Sequence, residues 1–213
     1  MCIRDRVVTS YELGYRYNSP KFTLDISAYV SQYVDKIGGK FVTVPVVTSA
    51  FPTAEAAVSA DNYYGFQVDS NFDNDFDTSG VNIESTFSLS NNLSANIIYE
   101  YNKTWYNFRA SDAFVLSWNT PETRLKGGIL YTNGNLLLSA NARYNSEYYY
   151  QSSYVSDTIE ANTVIDAKVS YNIPSLKSVL EIGGNNIGGD NYVSVPGAGL
   201  IGTIYYAGLR FNL

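Results

Sequence analysis

Apolar and polar residues alternate with a period of two along most of this chain, and the alternation runs to the last residue. In residues 200–213, Ile201, Thr203, Tyr205, Ala207, Leu209, Phe211 and Leu213 fall on one side. Gly202, Ile204, Tyr206, Gly208, Arg210 and Asn212 fall on the other. A β-strand points successive side chains to opposite faces, so this pattern predicts a strand with one apolar and one more polar face. Phe22, Leu24, Ile26, Ala28 and Val30 alternate with Thr23, Asp25, Ser27, Tyr29 and Ser31 in the same way. So do the stretches 81–89, 93–102, 136–144 and 163–172, with weaker versions at 8–17, 122–132 and 176–184. Helical periodicity is almost absent.

Charge follows the same division. Glu12, Arg16, Asp25, Glu84, Glu100, Arg124, Lys126, Arg143, Asp166, Lys168, Glu181 and Arg210 all lie on the polar side of their strands. Two architectures produce this. In a membrane barrel the apolar band faces lipid, where Lys or Arg near mid-membrane costs about 2–4 kcal/mol. In a soluble sandwich the faces are exchanged. Alternation alone leaves both open.

The connections separate them. Asn18-Ser19-Pro20, Asn91-Asn92, Thr132-Asn133-Gly134-Asn135 and Pro174-Ser175 are short and carry turn residues. Between them lie long polar segments, roughly 35–79, 103–121, 146–161 and 185–199. Short turns on one rim and long loops on the other are the pattern of outer-membrane barrels. Strands of about 9–13 residues also suit a tilted bilayer crossing better than the usual strand of about five or six. The expected fold is therefore all-β, an antiparallel transmembrane β-barrel segment of about 9–10 meandering strands. In segment 35–79, Val44-Pro45 and Phe51-Pro52 interrupt the pattern, and residues 63–72 are expected to add a strand or half a hairpin above the membrane. Asp69, Asp73, Asp75 and Asp77 lack the Gly and Glu spacing of a calcium loop and read as solvated loop.

Composition narrows the function. The 213 residues include 20 Tyr, 10 Phe and 2 Trp; tyrosine suits sites where one end of the ring is apolar and the other wet. With no His and one Cys, Cys/His zinc sites, His-dependent triads and internal disulfides are excluded. A net charge of −6 gives no nucleic-acid footprint. No nucleophile–base pair stands out, the acid pair Asp73/Asp75 falls in loop-like sequence, and no enzyme activity, cofactor or metal is expected. Met1-Cys2-Ile3-Arg4-Asp5-Arg6 has no apolar core of a signal peptide and resembles translated sequencing-adapter sequence. Residues 1–6 are set apart as a candidate non-native leader, and residues 7–213 are read as barrel.

Four motifs, in order, resemble the C-terminal barrel half of TonB-dependent outer-membrane receptors. Ser10-Tyr11-Glu12-Leu13-Gly14-Tyr15-Arg16 is similar to the family's Ser-x-Glu-x-Gly-Tyr-Lys/Arg strand. Ser79-Gly80-Val81-Asn82-Ile83-Glu84 is similar to its Gly-Val-Glu segment, with Asn82 in place of the acid. Asn186-Ile187-Gly188-Gly189-Asp190-Asn191-Tyr192 has the spacing of its Asn-Leu-Phe-Asp-x-x-Tyr motif, with Gly188 and Gly189 replacing Phe and Asp. Tyr206, Gly208, Phe211 and Leu213 fit the terminal strand signal read by the barrel-assembly machinery, with Leu in place of the usual Phe. Gly208 is expected where the backbone approaches a neighbour closely.

The resemblance implies an outer-membrane location and energy-coupled uptake of a scarce nutrient, iron–siderophore complexes being the commonest cargo and cobalamin or oligosaccharides others. Its partners would be outer-membrane lipid, the assembly machinery and a small-molecule ligand, with TonB reached only through a plug region. Such receptors have about 22 strands around a plugged lumen, so the resemblance implies an incomplete barrel, a C-terminal piece without plug. Loop aromatics Trp105, Tyr106, Tyr148, Tyr149, Tyr150 and Tyr154 are candidates to stack on a sugar or catecholate ligand; an interface girdle or packing within loops is the simpler role. Two other readings stay open: a complete small barrel with a structural or adhesive role, and a secreted glycan-binding β-sandwich.

Overall fold

The structure, a computed structural model, describes residues 3–72, 74–105, 118–152 and 154–211, together with the backbone of 114–115. Strands β1 (Val7–Asn18), β2 (Phe22–Val34), β3 (Ile37–Pro45), β4 (Tyr63–Asn71), β5 (Phe76–Ser88), β6 (Leu93–Thr104) and β7 (Phe114–Val115) come first. Strands β8 (Thr123–Asn133), β9 (Leu136–Asn145), β10 (Tyr148–Gln151), β11 (Ser156–Ile159), β12 (Asn162–Ile173), β13 (Ser178–Asn185) and β14 (Ile204–Phe211) follow. One short helix, α1 (Ala54–Ser59), is capped by Thr53, whose Oγ1 accepts the Ala56 N–H at 3.1 Å.

Nine strands form one antiparallel sheet in the order β1-β2-β5-β6-β8-β9-β12-β13-β14, a meander in sequence order. The sheet does not close: β1 and β14 are its two edges. Register settles the faces. Arg16 lies opposite Asp25, Asp25 opposite Glu84, and Glu84 opposite Ile98. Lys126 then faces Arg143, Asn141 faces Asp166, Ser170 faces Glu181 and Val179 faces Arg210. Followed across the sheet, every charged strand residue named above lies on one face.

The other face is apolar and uncovered. Leu13 is 77% exposed, Ile129 54% and Ile182 53%. A sandwich would lay a second sheet on these residues; among the described residues no element does. Buried apolar side chains are few: Ala57, Phe72, Phe76, Ile159 and Val164. The chain exposes 13963 Å², against about 9800 Å² for a compact globular monomer of this mass. This is a wall, not a globule. Aromatics border the apolar face on both sides. Tyr17, Phe22 and Phe87 form a contiguous set near the short turns, with centroids 6.1 Å and 5.0 Å apart. Tyr171 faces Leu136 near that rim, while Tyr144 lies eight positions up β9, about 27 Å along the strand.

Above the sheet, the long connections build structure of their own. A break at Asp35–Lys36 interrupts β2 before β3, with Asp35 at φ 53°, and β4 leads into β5 after a matching break. The β3–β4 hairpin thus extends the β2–β5 pair beyond the rim. The strand expected over residues 63–72 is β4, half of a hairpin whose other half is β3 and whose far end carries α1. Strand β7 joins β3, making a separate three-stranded sheet β4-β3-β7, and β10 pairs with β11. The last strand is shorter than its alternation predicts. It begins at Ile204 because its partner β13 stops at Asn185; before it, Ile201 bridges only to Tyr192.

Candidate functional site

Two surfaces present chemistry: the polar face and the rim of long connections. On the polar face, cross-strand neighbours pair charges. Arg16 Nε donates to Asp25 Oδ2 at 2.6 Å, Arg143 Nη1 to Asp166 Oδ2 at 3.2 Å, and Lys168 Nζ lies 3.8 Å from Glu181. Glu100 accepts from both Arg124 (3.2 Å) and Lys126 (3.3 Å). These groups are partly open to solvent, so each pair contributes at most about 1 kcal/mol; their larger effect is to make the face hydrophilic while leaving it nearly neutral.

Tyrosines fit over glycines on the same face. A Cβ on Gly80 would lie 2.5 Å from a Tyr29 ring carbon, and the Tyr29 hydroxyl reaches across to donate to Asn102 Oδ1 at 2.8 Å. Tyr206, one of the predicted assembly-signal residues, covers Gly183 in the same manner. Gly208 behaves otherwise than expected: an added Cβ meets nothing within 4 Å. Within this sheet no neighbour approaches Gly208 closely: its partner Glu181 leaves the Cβ position open, and β14 is an edge strand. Phe211 ends β14 on the apolar side, opposite Ser178. Leu213 lies outside the described residues.

The Asn186-Ile187-Gly188-Gly189-Asp190-Asn191-Tyr192 motif is a structural turn. Asn186, 2% exposed and at φ 53°, ends β13. Its N–H donates to Asp166 Oδ1 at 3.0 Å, its carboxamide N–H to the Asp190 carbonyl at 3.1 Å, and its carbonyl accepts from Thr203 Oγ1 at 2.6 Å. The turn is thereby tied to β12 and to the approach to β14. Beside it, a cleft of about 700 Å³ opens between residues 157–163 and 188–200, with Asp157, Glu160 and Asp190 among its walls and no Lys or Arg.

At the rim, the predicted aromatics divide. Tyr148, Tyr149 and Tyr150 form β10, half-buried, and Tyr154 stands 98% exposed at the tip of the β10–β11 hairpin. Burial raises the Tyr148 hydroxyl above its ordinary pKa, with nearby Arg124 opposing the shift. Trp105 belongs to a different hairpin. Its indole N–H donates to Ser79 Oγ at 3.3 Å, at the end of the β5–β6 pair. Tyr106 lies outside the described residues, as does Asp73 of the acid pair. The sequence reading missed the cluster of Tyr33, Phe72, Phe76 and Trp118. Tyr33 stacks on Phe76 at 5.0 Å and Trp118 meets both edge-on, at 5.7 Å and 6.1 Å. These rings come from three separate segments, so no local pattern announces them. Lys36 Nζ sits 5.9 Å from the Tyr33 ring centre, and burial, then nearby Arg6, lowers its pKa. Among the described residues no group of His, Cys, Asp and Glu is placed to hold a metal. No described helix is long and apolar enough to cross a membrane.

An open antiparallel meander with one charge-rich and one largely apolar face defines a segment of transmembrane β-barrel wall. Solved structures agree at the level of fold. The chain is similar to the copper transporter OprC (TM-score 0.63, 16% identity, 90% of this chain and 27% of that one). It is equally similar to the siderophore receptor PirA from Acinetobacter baumannii (TM-score 0.63, 10% identity, 97% and 32%). The FrpB iron transporter from Neisseria meningitidis matches as well (TM-score 0.63, 14% identity, 98% and 32%). The chain thus spans about a third or less of the length of these proteins. No protein-family model and no curated protein sequence matches it.

Proposed function

We propose that this chain is part of the barrel of an outer-membrane receptor that takes up a scarce nutrient with energy supplied through TonB, an iron–siderophore complex being the leading cargo. One observation carries the reading: an unclosed nine-stranded meander whose charges, Asp77 and Lys103 near the rim apart, share one face and whose exposed aliphatic and aromatic residues mostly lie on the other. In a barrel the apolar face meets lipid and the polar face lines the lumen. The likeness to proteins named as siderophore, iron and copper carriers supports transport. Plug and TonB contact would belong to sequence outside these residues. Tyr148, Tyr149, Tyr150 and Tyr154 on the β10–β11 hairpin, and Trp105 beside β5, would meet an arriving ligand at the long-connection rim.

The test is uptake. A bacterium lacking the reading frame that contains this chain should lose accumulation of siderophore-bound radiolabelled iron under iron starvation, and complementation should restore it only when TonB is intact. Loss of copper accumulation alone would transfer the assignment to copper. Unchanged uptake of both would remove the transport reading.

A further inference from the structure

We infer that the β3–β4 hairpin of the rim holds a further strand on the outer edge of β4, supplied by the stretch of the receptor that leads down into β1; this rests on the chain being part of a larger barrel. β4 has a partner on one side only, the rim sheet being ordered β4-β3-β7. The ladder between β3 and β4 fixes which groups are free. At one end the Phe72 N–H donates to the Lys36 carbonyl at 2.7 Å, and at the other the Val46 N–H donates to the Asn62 carbonyl at 2.9 Å. Both pairs continue the register that sets Lys40 opposite Val68 and Val44 opposite Tyr64. Bonded and non-bonded pairs alternate along an antiparallel ladder, so Tyr64, Phe66 and Val68 are the residues that bond to β3. Tyr63, Gly65, Gln67 and Asp69 therefore turn their N–H and C=O groups outward, where among the described residues no strand lies.

Free edges are ordinarily guarded by proline, lysine, a bulge or short length. β4 has 9 residues, carries neither Pro nor Lys, and keeps its register unbroken. The opposite edge of the same sheet is guarded: β3 ends on Pro45, an outward position without an N–H, and β7 covers Gly39 and Lys40. Tyr64 and Phe66 share one face with Val44, and all three are exposed; a neighbouring strand with apolar residues at every second position covers that face. Position then says which polypeptide pairs there. β7 comes from the β6–β8 connection and takes β3, while the foot of β4 stands on the flank of β1. There the Arg4 N–H donates to Asn71 Oδ1 at 2.7 Å, and Asn71 Nδ2 donates to the Arg4 carbonyl at 2.8 Å. Both bonds use the main chain of Arg4, so any residue but proline at that place makes them. The chain enters β1 from the rim, since Val7 pairs with Val34, and β4 descends toward the same rim to Asn71. The residues before Arg4 thus come down beside β4 and parallel to it, with a peptide group already seated at the foot of the free edge.

The protein for the test is that encoded by the longest reading frame containing the chain, folded in detergent, with heat-modifiable gel mobility as the check on folding. Gln67→Cys, in an otherwise cysteine-free background, is combined with a single cysteine at each of the positions leading up to Val7, and disulfides are measured after mild oxidation. Gln67 stands four residues before Asn71 and Arg4 three before Val7, so the strongest cross-link is expected at about the seventh residue before Val7. Alternate positions on either side should cross-link more weakly. The amides of Tyr63, Gly65 and Gln67 should exchange slowly in deuterated water. Gly65→Pro removes an outward N–H and no bond to β3, at a place where an added Cβ meets nothing within 4 Å. It should pass the folding check and lower the cross-link yield about fivefold, as expected for loss of one backbone hydrogen bond; Gly65→Ala should leave the yield unchanged. Absence of cross-links, cross-links without alternation, or amide protection that appears only as protein concentration rises (the mark of a second copy) overturns the assignment. Cross-linking in a protein that carries neither iron nor copper keeps the strand and removes the uptake reading; intact uptake without cross-linking does the reverse.

Discussion

At the scale of the residue, two glycines with the same freedom have opposite roles. Gly80 lies under the Tyr29 ring, with the Tyr101 carbonyl 2.7 Å from where its Cβ would be. Gly80→Val must push that ring off β5 and break the Tyr29–Asn102 hydrogen bond, so we expect a loss of about 1–3 kcal/mol, the usual range for overpacking. Gly208→Ala enters open space and should change stability by no more than about 0.5 kcal/mol. Urea unfolding from lipid vesicles distinguishes them. A Gly208→Ala loss as large as that of Gly80→Val would show that Gly208 is crowded in the assembled barrel by a neighbour beyond β14. The Asn186 turn makes a similar point: its fixed residue is the asparagine, which bonds in three directions, while Gly188 supplies a positive φ of 66°.

At the scale of the element, the two faces should respond differently to charge. Ile129 shares its cross-strand row with Ala140 and Ala167, midway between the Tyr144 and Tyr171 levels. Ile129→Arg puts a guanidinium at mid-membrane and should cost about 2–4 kcal/mol. Arg124→Gln, one face over, removes a partly solvated ion pair and should cost about 1 kcal/mol or less. Equal costs in vesicle unfolding would argue against a lipid-facing apolar side. These strands were legible because a half-exposed strand writes its two environments into alternate residues. Their predicted limits agree with the structure to within a few residues except at residues 200–203 and at the start of β5. Elements of the rim write no such pattern. In β3, Gly38-Gly39 and Pro45 blur the alternation, and β10 runs Tyr-Tyr-Tyr-Gln. The polar face was half legible: its charges were placed from sequence, but only the register sets Tyr29 over Gly80 and Tyr206 over Gly183.

At the scale of the whole molecule, the sheet ends in two unpaired edges, β1 and β14. In lipid their backbone N–H and C=O groups would lack partners. The 213-residue chain refolded alone in detergent should therefore show no heat-modifiable, barrel-like species on gels. Appearance of a dispersed one would favour a complete small barrel. The rim adds a different kind of consequence. Strand β7 pairs with β3 at Gly39 and Lys40, and Asn119 clasps Gln151 through two hydrogen bonds of 3.0 Å and 2.8 Å. Three successive connections are in this way stitched to one another. Their lengths cannot drift separately over evolution: residues added between Trp118 and Asn119 would pull the aromatic cluster away from the clasp, whereas residues added between Ser49 and Ala50 would not. Related sequences should accordingly vary in length at the second place and hold it constant at the first.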